Sequence, residues 1–433
     1  MLDIKRIRQE PEAVREQLAR RAATLDALVD AAETDTAIER ILALDEERRR
    51  LIGEGDALKA RRNAVSQEVG ERKRRGEGAE ELIAETRMVA DRIREVDARL
   101  REIEGEIEGM LLRIPNTPDP SVPAGGEENN RVVRSWGELP SYDFTPRPHW
   151  EIGAELGILD LPTGAKITGS GFPAYRGLGA RLQRALISWM LDLHTREHGY
   201  TEVQPPFLVN RAAITGTGQL PKFEEDLYVL PNDELFLVPT AEVPVTNFHR
   251  EQLLDGEQLP IAYTAYSPCF RREAGAAGKD TRGLLRLHQF DKVEMVRFER
   301  QENSFDALER MVGHAERVLQ LLGLPYRVVL LAAGDTGFAS AKTYDLEVWA
   351  AGVDRWLEVS SCSNCTDFQA RRAGIRYRPA PGEKPEFAHT LNGSGVALPR
   401  TLIALIENGQ RADGTVEVPE VLRPYLGTDH LAG

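Results

Sequence analysis

The chain has 433 residues, enough for two or three domains and an ample core. It carries 69 acidic against 55 basic residues, a formal net charge of −14, which gives no argument for nucleic-acid binding; any such contact must rest on a local basic patch. No apolar run is long enough to span a bilayer, residues 1–21 lack the apolar stretch of a signal peptide, and three cysteines do not make a disulfide framework, so the expected location is cytoplasmic with no membrane partner.

In chain order, residues 1–30 read as an amphipathic helical segment with Ile4, Ile7, Val14, Leu18, Leu25 and Leu28 as a loose apolar face. Residues 36–111 follow, charge-rich and poor in proline. Ala37, Leu44, Leu51, Leu58 and Val65 recur every seven positions. Leu82, Val89, Ile93, Val96, Leu100, Ile103, Ile107 and Met110 keep the four-and-three spacing of a coiled-coil seam, with Thr86 its one polar exception. Between the two halves lies the glycine- and charge-rich stretch 70–78. The pattern predicts two long antiparallel helices, each ~45–50 Å at 1.5 Å per residue. Such a hairpin has one seam to bury and projects as an arm. At its tip stand Arg72, Lys73, Arg74 and Arg75, with Lys59, Arg61 and Arg62 below. They read either as a solvated face or as a contact for a phosphate backbone. Residues 114–130, with four prolines between 115 and 123, predict an extended spacer. The predicted organisation is an N-terminal domain at 1–113 with its arm at about 30–111, a linker at 114–130 and a second domain at 131–433.

The second domain mixes helix and strand. Residues 181–198 and 304–322 read as helices, and 326–331, 344–349 and 356–360 as strands. Its centre is a predicted antiparallel pair, 263–270 and 285–298, joined by a long loop with Gly275, Gly278 and Gly283. The charges on this hairpin are Arg271, Arg272 and Glu273 where one strand ends, then Lys279, Arg282 and Arg286. Two apart on a strand, Arg271 and Glu273 share a face. The planar guanidinium suits phosphate or carboxylate oxygens, although a merely solvated hairpin fits the spacing equally well.

Four other stretches carry polar groups that chemistry can use. Thr240-Ala241-Glu242 offers a hydroxyl and a carboxylate, suited to an ammonium ligand or to a helix N-cap. Glu294 sits between Val293 and Met295, where a carboxylate needs a partner unless it lies on a solvent face. Glu358-Val359-Ser360-Ser361 ends a strand, and Glu358 and Ser361 supply hard oxygens of the kind that hold Mg²⁺ beside phosphates. The single pair Cys362 and Cys365 lacks further ligands for zinc and reads as structural. In residues 392–400 glycines allow close backbone approach, and Arg400 stands at a helix start, where a cation is disfavoured unless a ligand is near.

The string FRREAG…GLLRLHQFDKVEM resembles motif 2 of class II aminoacyl-tRNA synthetases, and seryl-tRNA synthetases in particular. The stretch 199–209 resembles motif 1, with Pro206 at its dimer-interface position. NGSGVALPR resembles motif 3, departing from some relatives in having Pro399 in place of glycine. TAEVPVTN resembles the serine-binding segment, and the N-terminal arm is similar to the one that reaches the long variable arm of the tRNA in this family. The resemblance implies an α+β fold, with a coiled-coil arm and an antiparallel-sheet catalytic domain flanked by helices. It implies a homodimeric enzyme that uses ATP and Mg²⁺ to convert L-serine to seryl-adenylate, and then transfers serine to the 3′ end of tRNA(Ser), with a selenocysteine tRNA as a second candidate acceptor. Carried over by position, the catalytic residues are Arg271, Glu273 and Arg400. Serine contacts are Thr240, Ala241, Glu242, Arg271, Glu294 and Ser394. ATP contacts are Arg271, Arg272, Glu273, Leu287, Glu358, Val359, Ser360, Ser361 and Arg400. Metal ligands are Glu358 and Ser361, and tRNA contacts are Arg72, Lys73, Arg74 and Arg75. Two rival readings are an enzyme that loads an amino acid onto a carrier protein, against which the arm argues, and an inactive RNA- or protein-binding paralogue, against which Arg271, Glu273 and Arg400 argue together.

Overall fold

The computed structural model describes residues 1–21, 31–274 and 281–433. Leu25, Leu28, Gly275, Gly278 and Lys279, singled out in the sequence, lie outside the described residues. The chain divides into two compact units, one of Leu2–Glu16 with Val29–Ile114 and the other of Met1, Gln17–Leu28 and Pro115–Gly433.

The N-terminal residues form two helices rather than one, α1 (Ile4–Gln9) and α2 (Pro11–Ala19). Asp3 caps the first through the Lys5 N–H, and Pro11, which has no N–H to continue a helix, begins the second. Then come α3 (Ala31–Arg74) and α4 (Glu80–Leu111). Leu44, Leu51 and Val65 of α3 and Ile93, Val96, Ile103 and Ile107 of α4 are buried along one seam. Ion pairs Arg40–Glu106 (3.0 Å), Glu47–Arg99 (2.9 Å), Glu54–Arg92 (2.7 Å) and Arg61–Glu85 (2.7 Å) fix the antiparallel register, the partner's number falling as the first rises. Each exposed pair contributes only about 0–1 kcal/mol, so the apolar seam carries the stability. Helix α3 outruns its predicted end. It passes Gly70, a helix-interior glycine that costs about 1 kcal/mol, and stops before Gly76, whose φ of +74° breaks the run. Its 44 residues span ~66 Å rather than the expected 45–50 Å.

The other unit is built on an eight-stranded sheet of β1 (Arg131–Trp136), β2 (Thr201–Glu202), β3 (Ile261–Phe270), β4 (Gln289–Glu299), β5 (Tyr326–Leu330), β6 (Lys342–Ala350), β7 (Arg355–Asn364) and β8 (His389–Ala397). The order is β1-β5-β6-β7-β8-β4-β3-β2, antiparallel throughout except for the short β2–β3 pairing. Short helices α5 (His149–Glu155) and α6 (Leu161–Ile167) precede α7 (Leu178–Arg196); α8 (Arg211–Thr217), α9 (Glu242–Thr246), α10 (Ser304–Leu322), α11 (Phe368–Ala373) and α12 (Leu398–Asn408) follow. The apolar stripes of α7, α10 and α12 bury Leu186, Met190, Leu308, Met311 and Ile403 against Met295, Leu346 and Leu391 of the sheet.

Three further expectations differ from the structure. The return strand starts at Gln289, not at residue 285, because Leu284, Leu285 and Leu287 fold inward as turns and bury their side chains. Strand β7 does not end at Ser361 but pairs onward through Asn364. The proline-rich stretch is not a free spacer. Asn116 is buried, and its side-chain amide donates to Ala339 O (3.0 Å) and Cys365 O (2.9 Å). The Asp119 N–H donates to Ala341 O, while Pro123 O accepts from the Ala333 N–H. The prolines keep the segment extended; its hydrogen bonds strap it to the sheet unit.

Candidate active site

One cleft of about 470 Å³ lies over β4, β7 and β8 beside the start of α12. It is lined by Thr240, Glu242, Arg271, Glu273, Arg286, Leu287, Glu294, Glu358, Ser361, Ser394 and Arg400 among the residues singled out in the sequence, together with Phe290, Lys292, Gly337 and others.

Two β-bulges decide which side chains reach it. In β7, Glu358 pairs with Glu347 and Ser360 with Leu346, so Val359 is the extra residue. Strict alternation would send Glu358 and Ser361, three apart, to opposite faces; the bulge turns both into the cleft. Val359 goes to the core, and the buried Ser360 hydroxyl donates to Ser394 O at 2.6 Å. In β8, Ser394 pairs with Glu294 and Val396 with Val293, which leaves Gly395 as the extra residue. Ser394 and Ala397 therefore both line the cleft. A Cβ on Gly395 would stand 2.4 Å from His194 Nε2, so glycine is required there.

Arg271 and Glu273 do not share a face through strand alternation, because β3 ends at Phe270 and Glu273 turns with φ +52°. They meet in the cleft because the chain curls. The Arg271 guanidinium lies over the Phe290 ring (5.2 Å to its centre), and Glu273 accepts from Arg286 at 2.5 Å. Arg400, in the first turn of α12 behind Pro399, donates to Glu358 Oε2 (3.2 Å) and Leu285 O (3.3 Å). Arg272 turns elsewhere, lining a neighbouring hollow with Glu224, Tyr228 and His288.

The helix after Thr240 is capped at Ala241, not at Thr240, and has no side-chain cap bond. Thr240 Oγ1 accepts from the Glu242 N–H (3.2 Å) at the start of α9, and both side chains line the cleft; Ala241 between them is fully buried. Glu242 accepts from Gln369 (2.6 Å) and Asn392 (3.1 Å). Burial, reinforced by the nearby Glu294 carboxylate, pushes its carboxyl up to about 7. Glu294 is 2 % exposed, which overturns the solvent-face reading, and its partner is Lys292, also buried, at 2.6 Å. Lys292 was missed in the sequence, although its position two residues from Glu294 on one strand puts both on one face. The thiols of Cys362 and Cys365 are buried, and burial pushes both up, that of Cys362 to about 12. They are neutral packing groups, and among the described residues no cluster of three or more His, Cys, Asp or Glu is arranged for a metal.

In the helical unit the basic residues are partly paired internally: Arg72 with Glu68 (2.8 Å), Arg75 with Glu77 (3.5 Å), Lys59 with Asp97 (3.3 Å). Arg74 donates to Gly70 O (3.2 Å), and Lys73 is exposed at the end of α3. Pro206, between β2 and the strand Leu208–Asn210, is exposed.

The profile of the seryl-tRNA synthetase N-terminal domain matches residues 1–118, and that of the class II tRNA synthetase core domain (G, H, P, S and T) matches 223–409. A serine–tRNA ligase of Carboxydothermus hydrogenoformans is 55% identical over 100% of this chain and 99% of its own length. The chain belongs to the seryl-tRNA synthetases. It is thereby a class II aminoacyl-tRNA synthetase of the serine–tRNA ligase type. Another such ligase, from Gemmatimonas aurantiaca, is 54% identical over 100% of both chains. Among solved structures, the seryl-tRNA synthetase of Pyrococcus horikoshii complexed with ATP superposes with a TM-score of 0.92 at 38% identity, covering 100% of this chain and 99% of that one. The cytoplasmic serine–tRNA ligase of Naegleria fowleri in complex with AMP gives 0.87 at 31%, with the same coverage. The seryl-tRNA synthetase fold, long paired helices plus an antiparallel sheet flanked by helices, is the architecture described above. No helix among the described residues is long and apolar enough to cross a membrane.

Proposed function

We propose that the protein activates L-serine with ATP and transfers it to the 3′ end of tRNA(Ser), with a selenocysteine tRNA as a second candidate acceptor. In the first step a serine carboxylate oxygen bonds to the α-phosphorus of ATP, the bond to the β-phosphate bridging oxygen breaks, and pyrophosphate leaves. In the second, a hydroxyl at the tRNA 3′ end takes the seryl carbonyl and AMP leaves. What supports this is the convergence of the motif side chains in one cleft.

Arg271 bridges the serine carboxylate and the α-phosphate, its guanidinium lying over the Phe290 ring. Arg400 approaches the phosphates from the first turn of α12. Glu273 holds Arg286 and offers an acceptor to the nucleotide. Catalysis is positioning and charge neutralisation, with no protein nucleophile. Glu242 and Thr240, with the Ala241 main chain, receive the serine ammonium. Glu294 and Ser394 receive its hydroxyl. The segments 271–273 and 358–361 border the ATP along with Leu287; Arg272, Val359 and Ser360 contribute main chain there, their side chains lying elsewhere. Glu358 and Ser361, brought to one face by the bulge, are the residues that would hold Mg²⁺, as hard oxygens beside the ATP phosphates. The cation supplies charge neutralisation when bound. Arg72, Lys73, Arg74 and Arg75 contact the tRNA backbone from the arm. The domains are read as 1–113, 114–130 and 131–433, and the working state as a cytoplasmic homodimer formed around the Pro206 segment.

Serine-dependent ATP–pyrophosphate exchange, together with charging of tRNA(Ser), tests the whole. Exchange without charging of any tRNA favours the carrier-protein reading, and absence of exchange the inactive one. Arg271→Ala abolishes exchange and keeps the fold; near-normal exchange in that variant refutes the role given to Arg271.

A further inference from the structure

His149 opens α5, far in sequence from every motif, and both the ring and its partner Glu407 on α12 are completely buried. Glu407 Oε1 accepts from the His149 main-chain N–H (2.9 Å) and lies 2.7 Å from the ring Nδ1. Its Oε2 accepts from the Gly352 (2.8 Å) and Val353 (3.0 Å) N–H groups. A carboxylate so surrounded by donors leaves one role for the ring nitrogen: Nδ1 carries the proton. Nε2 is then a bare lone pair, and the Leu284 N–H points at it from 2.9 Å. A second ring proton would set N–H against N–H with no space to retreat. Gly283 leaves room for this arrangement, since at its φ of +66° a Cβ would sit 2.2 Å from Nε2. Beside it the Arg282 guanidinium stacks on Trp150, 4.4 Å from the ring centre.

Leu284 begins the run Leu284–Leu287, which walls the cleft. Leu285 O is the acceptor of Arg400, and Arg286 holds Glu273. The run is not a strand and makes no ladder bonds; burial of Leu284, Leu285 and Leu287 anchors its side chains, and its main chain is fixed by such point contacts. We propose that His149 is a positioning residue. Through its neutral Nε2 it pins the return leg of the motif 2 loop, from one end of the helix that carries Arg400, in the place that ATP requires. This rests on the reading of that wall as nucleotide-binding.

Asparagine and glutamine separate this role from simple packing. In His149→Asn the amide nitrogen takes the Nδ1 position and keeps Glu407, while Leu284 loses its acceptor. In His149→Gln the amide oxygen reaches the Nε2 position and keeps Leu284. A displaced wall costs on the order of 10-fold or more. His149→Asn therefore raises the KM for ATP about 10-fold in pyrophosphate exchange, with the KM for serine within about twofold. Hydrogen exchange of the peptide covering 282–288 also speeds up. His149→Gln brings both readouts most of the way back. Equal impairment in the two variants, parallel changes in both KM values, or an unaffected His149→Asn overturns the proposal. On the unsubstituted protein, ¹⁵N NMR of this imidazole shows a protonated Nδ1 and a bare Nε2; a proton on Nε2 overturns it even if no variant folds. If the unsubstituted protein lacks serine-dependent exchange, the proposed function fails, and the hydrogen-exchange and NMR readouts still judge His149.

Discussion

Glu294 and Glu242 stand close in one cleft, and their surroundings assign them different work. Glu294 has the buried Lys292 ammonium beside it at 2.6 Å, so it is a paired acceptor suited to reading a hydroxyl. Alanine differs from serine by that hydroxyl alone, and a site that hydrogen-bonds it rejects the analogue by ~10⁴-fold or more. Glu294→Ala is expected to lose serine activation and narrow the serine-to-alanine ratio in exchange. It also strands Lys292, which costs on the order of 3–5 kcal/mol, so thermal unfolding is measured alongside. Glu294→Gln keeps an acceptor and the shape and is the milder change. An unchanged ratio in the alanine variant moves the hydroxyl contact to other residues. Glu242 is the titrating partner. Burial raises its carboxyl to about 7, so in the free protein it is largely protonated below that pH and ionised above it. In the proposed role as acceptor of the serine ammonium, Glu242 must be ionised. The kcat/KM for serine should therefore rise with pH through about 7, a limb that reports the free enzyme, and Glu242→Gln should flatten it at a low level. Stability runs the other way. A raised folded-state value means that the folded chain holds the proton more tightly, so this group's contribution declines as pH climbs from the usual carboxylate range through about 7. A serine kcat/KM that stays level between about pH 5.5 and 8.5, about one and a half units either side of that value, removes Glu242 from the ammonium site.

At the scale of elements, the bulges at Val359 and Gly395 do what the motif residues themselves cannot. Without them, alternation would bury Ser361 or expose Val359, and would separate Ser394 from Ala397. Gly395 has no latitude, because its missing Cβ is the space in which His194 sits. Burial lowers the His194 imidazole to about 3, so it is a neutral ring packed against His198 and Tyr200. Gly395→Ala should cost about 1–3 kcal/mol through overpacking, and lower exchange further by shifting Ser394, which tests the bulge in both stability and activity. Full exchange activity in that variant would show that the bulge does not set the cleft. The glycine run of this segment was visible in the sequence. That Gly395 is the extra residue was not, because bulge position depends on how β8 pairs with β4.

For the whole molecule, the two units have separate means of support: an apolar seam in the helical pair, and the sheet with its covering helices in the other. Deleting residues 37–110 and closing with a short linker is expected to spare serine-dependent exchange and remove tRNA charging; a deletion variant that charges as well as the parent removes the arm from tRNA recognition. Elements whose signals are local were legible in the sequence alone. The heptad spacing specified the two long helices, period 3.6 specified Ser304–Leu322 to the residue, and the short strings Thr240–Glu242, Arg271–Glu273 and Asn392–Arg400 carried the chemistry and the family. Local periodicity is enough there, because a helix closes its hydrogen bonds within four residues and a coiled-coil seam repeats within seven. Only the tertiary structure decided that Lys292 partners Glu294 in a closed interior, that residues 116–123 strap the sheet unit, that bulges aim Glu358 and Ser361 together, and that His149 meets Leu284 and Glu407 across 135 and 258 positions of chain. Each of these is a contact between segments that carry no periodic mark of one another. What places them is burial of the whole sheet and the demand that every buried polar group find a partner.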